Sequence, residues 1–153
     1  MNARAWIICI PAVLAGGIAS GWLSGSGYGN PWFDALSKPW FMPPGWVFPI
    51  VWTILYILMG LSLCLLLRRP RGRMAITLFL FQLALNYLWS PVFFGAHQIR
   101  AGLAVILLLD AAVVATIVAA SRFRPAAAWL LLPYAVWLVL ATALNAAILR
   151  LNG

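Results

Sequence analysis

Three short series of side chains stand at helical spacing in this sequence and carry groups able to hold a ligand. Phe48, Trp52 and Tyr56 fall at i, i+4 and i+8, so on a helix they share a face. Gln82, Asn86, Trp89 and Phe93 form a second series, and Tyr134, Trp137, Ala141 and Asn145 a third. Flat rings interleaved with a few amides can stack on a planar apolar molecule and fix its rim by hydrogen bonds. The same three amides could equally cross-link helices, at roughly 1 kcal/mol each. Ordinary catalysis has no residues to run it: no nucleophile–base pair and no metal-ligand cluster is present. His97 is the single histidine, which rules out bis-histidine haem ligation. Cys9 and Cys64 stand alone inside apolar runs and read as small packed hydrophobes.

These series lie in a chain that water cannot solvate. Of 153 residues, 65% are hydrophobic and 8% charged, and the mean hydropathy is +1.01. A soluble domain carries roughly a quarter charged residues, so the main solvent here is lipid. The formal charge of +8 arises from ten Lys and Arg against Asp34 and Asp110. Those basic residues sit between apolar runs, which makes them topology signals and not a nucleic-acid surface.

Charged residues divide the chain into five apolar segments, at about 5–23, 44–67, 74–96, 101–121 and 125–149. Each has the roughly 20 residues that a helix needs to cross about 30 Å of hydrocarbon. The first resembles a signal peptide in its flanks, but its length makes it a retained spanning helix. The expected fold is therefore an all-α, single-domain, five-transmembrane-helix bundle, with kinks at Pro11, Pro49, Pro91 and Pro133. Amphipathic strands are lacking, which excludes a β-barrel. Gly17 and Gly21 form a GxxxG on the first helix, read as packing within the bundle in preference to dimerisation. Asp110, the one acid deep in a span, is expected to be protonated and hydrogen-bonded across helices, with a functional role as the alternative.

One connection is long, from about Ser24 to Pro43. Asn30 is the expected N-cap of a short helix, with Pro31 first and Asp34 in its first turn. Trp32, Phe33 and Leu36 line one side of it, so the segment reads as an interfacial lid. Arg4, Arg68, Arg69, Arg71, Arg73, Arg122 and Arg124 fall on one side of the membrane, Lys38, Arg100 and Arg150 on the other. The positive-inside rule places the N-terminus in and the C-terminus out, in a bacterial inner membrane; an outer membrane stays open. Trp6, Trp22, Trp46 and Trp129 suit an aromatic belt, whereas Trp52 and Trp137 lie deeper.

The run "KPWFMPPGWVFPIVWTILYILMG" (38–60), with "WFDALSKP" before it, "QLALNYLWSPVFFGAHQ" (82–98) and "LPYAVWLVLATALN" (132–145), resembles the TspO/MBR family of tryptophan-rich sensory and translocator proteins. The resemblance covers nearly the whole chain. It implies five transmembrane helices, frequent homodimers, and a pocket beneath the first loop that binds porphyrins such as protoporphyrin IX. Benzodiazepine-like ligands, lipid and sterol are implied as further partners. By motif position it makes Trp52 and Trp137 the pocket tryptophans implicated in light-dependent porphyrin degradation. Asn86, Ala141 and the lid residue Trp32 also match, and Lys38 would meet a propionate at the mouth. Two departures stand out. Phe41 occupies the hallmark tryptophan position, with Trp40 shifted one place before it. Ala146 and Ala147 stand where a sterol motif needs tyrosine, so sterol binding is expected to be weak. The implied function is a membrane receptor, sensor or carrier for tetrapyrroles, with no cofactor besides the porphyrin ligand. A porphyrin-degrading photoenzyme and a lipid-filled scaffold are the alternatives.

Overall fold

A computed structural model describes residues 3–68 and 70–153; Arg69, one of the basic residues assigned to the second connection, lies outside them. Six α-helices follow one another: α1 (Ala3–Ser24), α2 (Pro31–Asp34), α3 (Val47–Leu67), α4 (Arg73–Ser90), α5 (Ile99–Phe123) and α6 (Pro125–Asn152). A 3-10 turn, Pro70–Gly72, precedes α4, and a π-helical turn, Pro91–Gly95, extends it. No strand occurs among the described residues. Five helical segments are long and apolar enough to span a bilayer, the third of them running Arg73–Gly95 across the π turn.

The spans form a closed ring in the order α1, α3, α6, α5, α4. Glycines set the tightest contact, between α1 and α3. A Cβ on Gly60 would lie 2.7 Å from the Ile10 backbone, and one on Gly17 would collide with the Tyr56 ring. Gly17 thus packs inside the bundle as its motif suggests, whereas a Cβ on Gly21 would meet only Ser26. The looser α1–α4 seam is closed by hydrogen bonds: Ser20 Oγ donates to the Tyr87 carbonyl and Tyr87 Oη to the Val13 carbonyl, each at 2.6 Å. Across α5 and α6, Thr142 Oγ1 donates to Asp110 Oδ2 at 2.7 Å, the cross-helix bond expected of that acid.

The core fills only part of this ring. Met59, Phe79, Val113, Leu131 and Tyr134 pack solidly in the half nearer the arginine-bearing ends. A second cluster, Phe33, Phe93, Phe94 and Ile148, sits under the long loop with Trp32, Leu36 and Met42 against it. Between the two the ring is hollow. Large exposed apolar residues such as Ile7, Ile54, Leu107 and Val139 cover the outside, as a lipid-facing surface requires.

The candidate ligand cavity and its lid

The hollow is a cavity of about 810 Å³ to which all five spanning helices contribute. Its walls are Phe48, Trp52 and Tyr56 from α3, Asn86, Trp89 and Ser90 from α4, Trp137, Ala141 and Asn145 from α6, and Gly17 from α1. The three helical stripes therefore converge. Phe48 meets Trp137 edge-to-face at 5.8 Å, and Trp52 lies over Tyr56 at 5.4 Å with 30° between the rings.

The two asparagines do both things their position allowed, whereas Gln82 neither lines the cavity nor has a hydrogen-bond partner. Tyr56 Oη donates to Asn86 Oδ1 at 2.8 Å, and Asn86 Nδ2 donates to Tyr134 Oη at 2.6 Å, tying α3, α4 and α6 together beneath the cavity. Asn145 accepts from Trp89 Nε1 at 3.1 Å and donates to the Ile99 carbonyl. Both asparagines line the cavity, so each combines a cross-helix bond with a place in the wall. The indole N–H of Trp137 and the Ser90 hydroxyl, by contrast, are buried without a partner. Each is a polar group packed among wall residues without a hydrogen bond.

The lid forms as its residues dictate. Asn30 Oδ1 accepts from the Trp32 and Phe33 N–H groups at 3.0 and 3.4 Å, capping α2. Gly27 and Gly29 hold φ of +95° and +96°, values open to glycine without strain. The lid is fastened at two places. Trp32 stacks on His97 with centroids 4.4 Å apart. Asn152 Oδ1 accepts from the Ser37 N–H at 2.9 Å, and its Nδ2 donates to the Ser37 carbonyl at 2.8 Å.

Four expected site residues stand elsewhere. Lys38 does not reach the cavity: its Nζ donates to the carbonyls of Phe33, Leu36 and Asp34 at 2.8, 3.1 and 3.3 Å. It also lies 4.6 Å over the Phe33 ring. It shapes the lid, because three carbonyl acceptors on a short span of chain take up its three hydrogens. Trp40 is 95% exposed: the turn that bonds the Met42 N–H to the Pro39 carbonyl at 3.1 Å swings it outward. Trp32 backs Phe93 edge-on and Tyr134 is fully buried behind Asn86; neither is a lining residue. The residues that the sequence reading missed include Met42, Phe94, Ser90, Leu138 and Leu144, all lining. A π turn brings Phe93 and Phe94 inward together, and only Pro91 hinted at it. Exposed lining residues, Ile18, Trp22, Tyr28, Trp46, Pro49 and Thr53, belong to α1, the loop and the start of α3. The cavity's mouth faces that side.

A closed ring of five membrane-length helices around an aromatic cavity, covered by a capped loop, defines an integral membrane protein with an aromatic-walled interior. The sequence places it further: the TspO/MBR family profile matches residues 9–151, and the chain belongs to that family. It is 41% identical over 123 residues to the "Tryptophan-rich sensory protein" of Cereibacter sphaeroides, covering 80% of this chain and 78% of the relative. It is 41% identical over 155 residues to the "Tryptophan-rich protein TspO" of Archaeoglobus fulgidus, 99% of each. Identity to the human "Translocator protein" is 40% over 131 residues, 82% of this chain and 78% of that one.

Proposed function

We propose that the protein is a membrane receptor, acting as sensor or carrier, that binds tetrapyrroles of the protoporphyrin type in this cavity. The carrying observation is the cavity itself: about 810 Å³, walled by Trp52, Trp137, Phe48 and Trp89. Small-molecule sites run to roughly 300–1,000 Å³ with mostly apolar linings and few polar groups. A porphyrin is planar and apolar, with acceptors at its rim. The walls offer ring faces for the plane. The names of the relatives, sensory and translocator proteins, agree with a role in sensing or moving a ligand.

Aromatic stacking is worth about 0.5–1.5 kcal/mol beyond burial. Trp137→Leu is expected to weaken protoporphyrin affinity roughly three- to tenfold, at about 1.4 kcal/mol per decade. Trp40→Leu, at the outward-facing position, is expected to leave it unchanged. Quenching of tryptophan fluorescence by added protoporphyrin measures both. Wild-type affinity in a folded Trp137→Leu protein would overturn the assignment.

A second reading, light-dependent degradation of the bound pigment, is favoured by one observation: Trp52 and Trp137 line the same cavity. An excited porphyrin could take an electron from either indole. Trp52→Phe keeps a ring for stacking and removes the indole. If bleaching under illumination continues at the wild-type rate in that variant, Trp52 is not the donor.

A further inference from the structure

Of the described residues, Trp137 alone borders both the cavity and an apolar groove of about 330 Å³ on the far side of its ring, between α3 and α6. Val51, Ile54, Pro133, Val136 and Leu140 form most of the groove's remaining border. Ile54 and Val136 are exposed on the outer face, so the groove opens towards lipid. Val51 and Ile54 lie roughly 6–11 Å along α3 from its start, at about 1.5 Å per residue. Since α3 is itself of bilayer length, that depth is acyl chain and not headgroup. One half-buried indole therefore stands between the interior and the bilayer.

That indole is lightly held. Its N–H has no hydrogen-bond partner, whereas Trp89 donates its own to Asn145 at 3.1 Å. Pro133, one turn earlier in α6, has no N–H to give the Trp129 carbonyl, so the helix lacks a backbone bond beside Trp137. Among the described residues, one side-chain hydrogen bond passes directly from α3 to α6, from Ser62 Oγ to the Ala127 carbonyl at 2.9 Å. It lies about two turns beyond Ile54, towards the arginine end. The lid, by contrast, is fastened by the Trp32–His97 stack and by Asn152 on Ser37. We propose that the α3–α6 seam is a lateral portal, gated by Trp137, through which the cavity exchanges a flat apolar ligand with the bilayer. The groove gives the indole room to swing outward. Being flat itself, it then vacates a slot of one ring's thickness, which a planar molecule can enter edge-on. Such a molecule partitions into lipid before it meets the protein, and this path spares it a return to water.

The portal rests on the porphyrin reading above, and rates test it where affinity tests that reading. Quenching of tryptophan fluorescence by protoporphyrin is followed by stopped flow on the protein in phosphatidylcholine nanodiscs. Val136→Trp fills the groove from outside the cavity. It is expected to slow association and dissociation alike by about tenfold, because the opened gate is overpacked. The dissociation constant should stay within about twofold, since the cavity wall is untouched. Asn152→Ala releases the lid from Ser37 and should leave both rates within about twofold. Wild-type rates in a folded Val136→Trp protein would overturn the portal. Faster association in Asn152→Ala would put the entrance beneath the lid and overturn it too. If the wild-type protein binds no porphyrin, that reading fails and labelling decides the portal. Ala141→Cys, in the cavity wall, is then treated with pyrenylmaleimide dissolved in the bilayer, with Cys9 and Cys64 replaced by alanine. Adding Val136→Trp should slow its modification about tenfold; equal rates would sink the portal. Should Val136→Trp not fold, Val51→Trp on the α3 side of the groove carries both measurements.

Discussion

Asn86 and Gln82 lie one helical turn apart on α4, and both are buried. Asn86 joins the hydroxyls of Tyr56 and Tyr134, whereas neither amide atom of Gln82 has a partner. Replacing them with leucine should therefore have opposite signs. Asn86→Leu strands two tyrosine hydroxyls in an apolar interior and is expected to cost about 1–3 kcal/mol. Gln82→Leu removes unsatisfied polar atoms and is expected to be neutral or stabilising. Thermal unfolding of the detergent-purified variants compares them. Matching losses would mean that Gln82 is hydrogen-bonded after all. The sequence placed both amides on one inward stripe, because spacing reports direction. It could not say which one finds a partner, because Tyr134 comes from another helix 48 residues away. The same limit explains Lys38: its charge suggested a ligand propionate, but its acceptors are carbonyls of its own loop.

Helices were legible where one physical rule governs them. Hydrocarbon thickness sets span length, and the spans follow the apolar runs to within a few residues. The Asn30 cap was legible too, since capping is local chemistry. The proline collar was not. Turns at Pro39–Met42 and Pro44–Val47 have no side-chain period, so nothing in the sequence showed that Met42 turns inward and Trp40 outward. Between elements, the α1–α3 contact depends on missing Cβ atoms. At Gly60 the obstacle is the Ile10 backbone, which cannot swing aside as a side chain can. Gly60→Val is expected to destabilise the bundle by about 1–3 kcal/mol through overpacking. Gly95→Ala meets nothing within 4 Å and serves as the neutral control. Equal unfolding midpoints for the two variants would show that α1 and α3 separate without cost.

Charge is distributed over the whole molecule with one end strongly favoured. The odd number of spans puts the start of α1, the end of α3, the start of α4, the end of α5 and the start of α6 at one end. Arg68 over Trp6 ties α3 to α1 there, and Gly72 lies against Phe123, linking α4 to α5. Arg4, Arg68, Arg71, Arg73, Arg122 and Arg124 therefore share that end, while Lys38, Arg100 and Arg150 share the lid end with Asp34. Short basic connections are retained on the cytoplasmic side during insertion. In a bacterial inner membrane the lid and the cavity mouth should then face the periplasmic half of the bilayer. Arg71→Cys and Ser26→Cys probe the two ends, in a background where the buried Cys9 and Cys64 are replaced by alanine. A membrane-impermeant maleimide added to intact cells should label Ser26→Cys and leave Arg71→Cys unmodified until the cells are opened. Labelling of Arg71→Cys in intact cells, with Ser26→Cys protected, would invert the orientation. A ligand would then reach the cavity from the cytoplasmic leaflet.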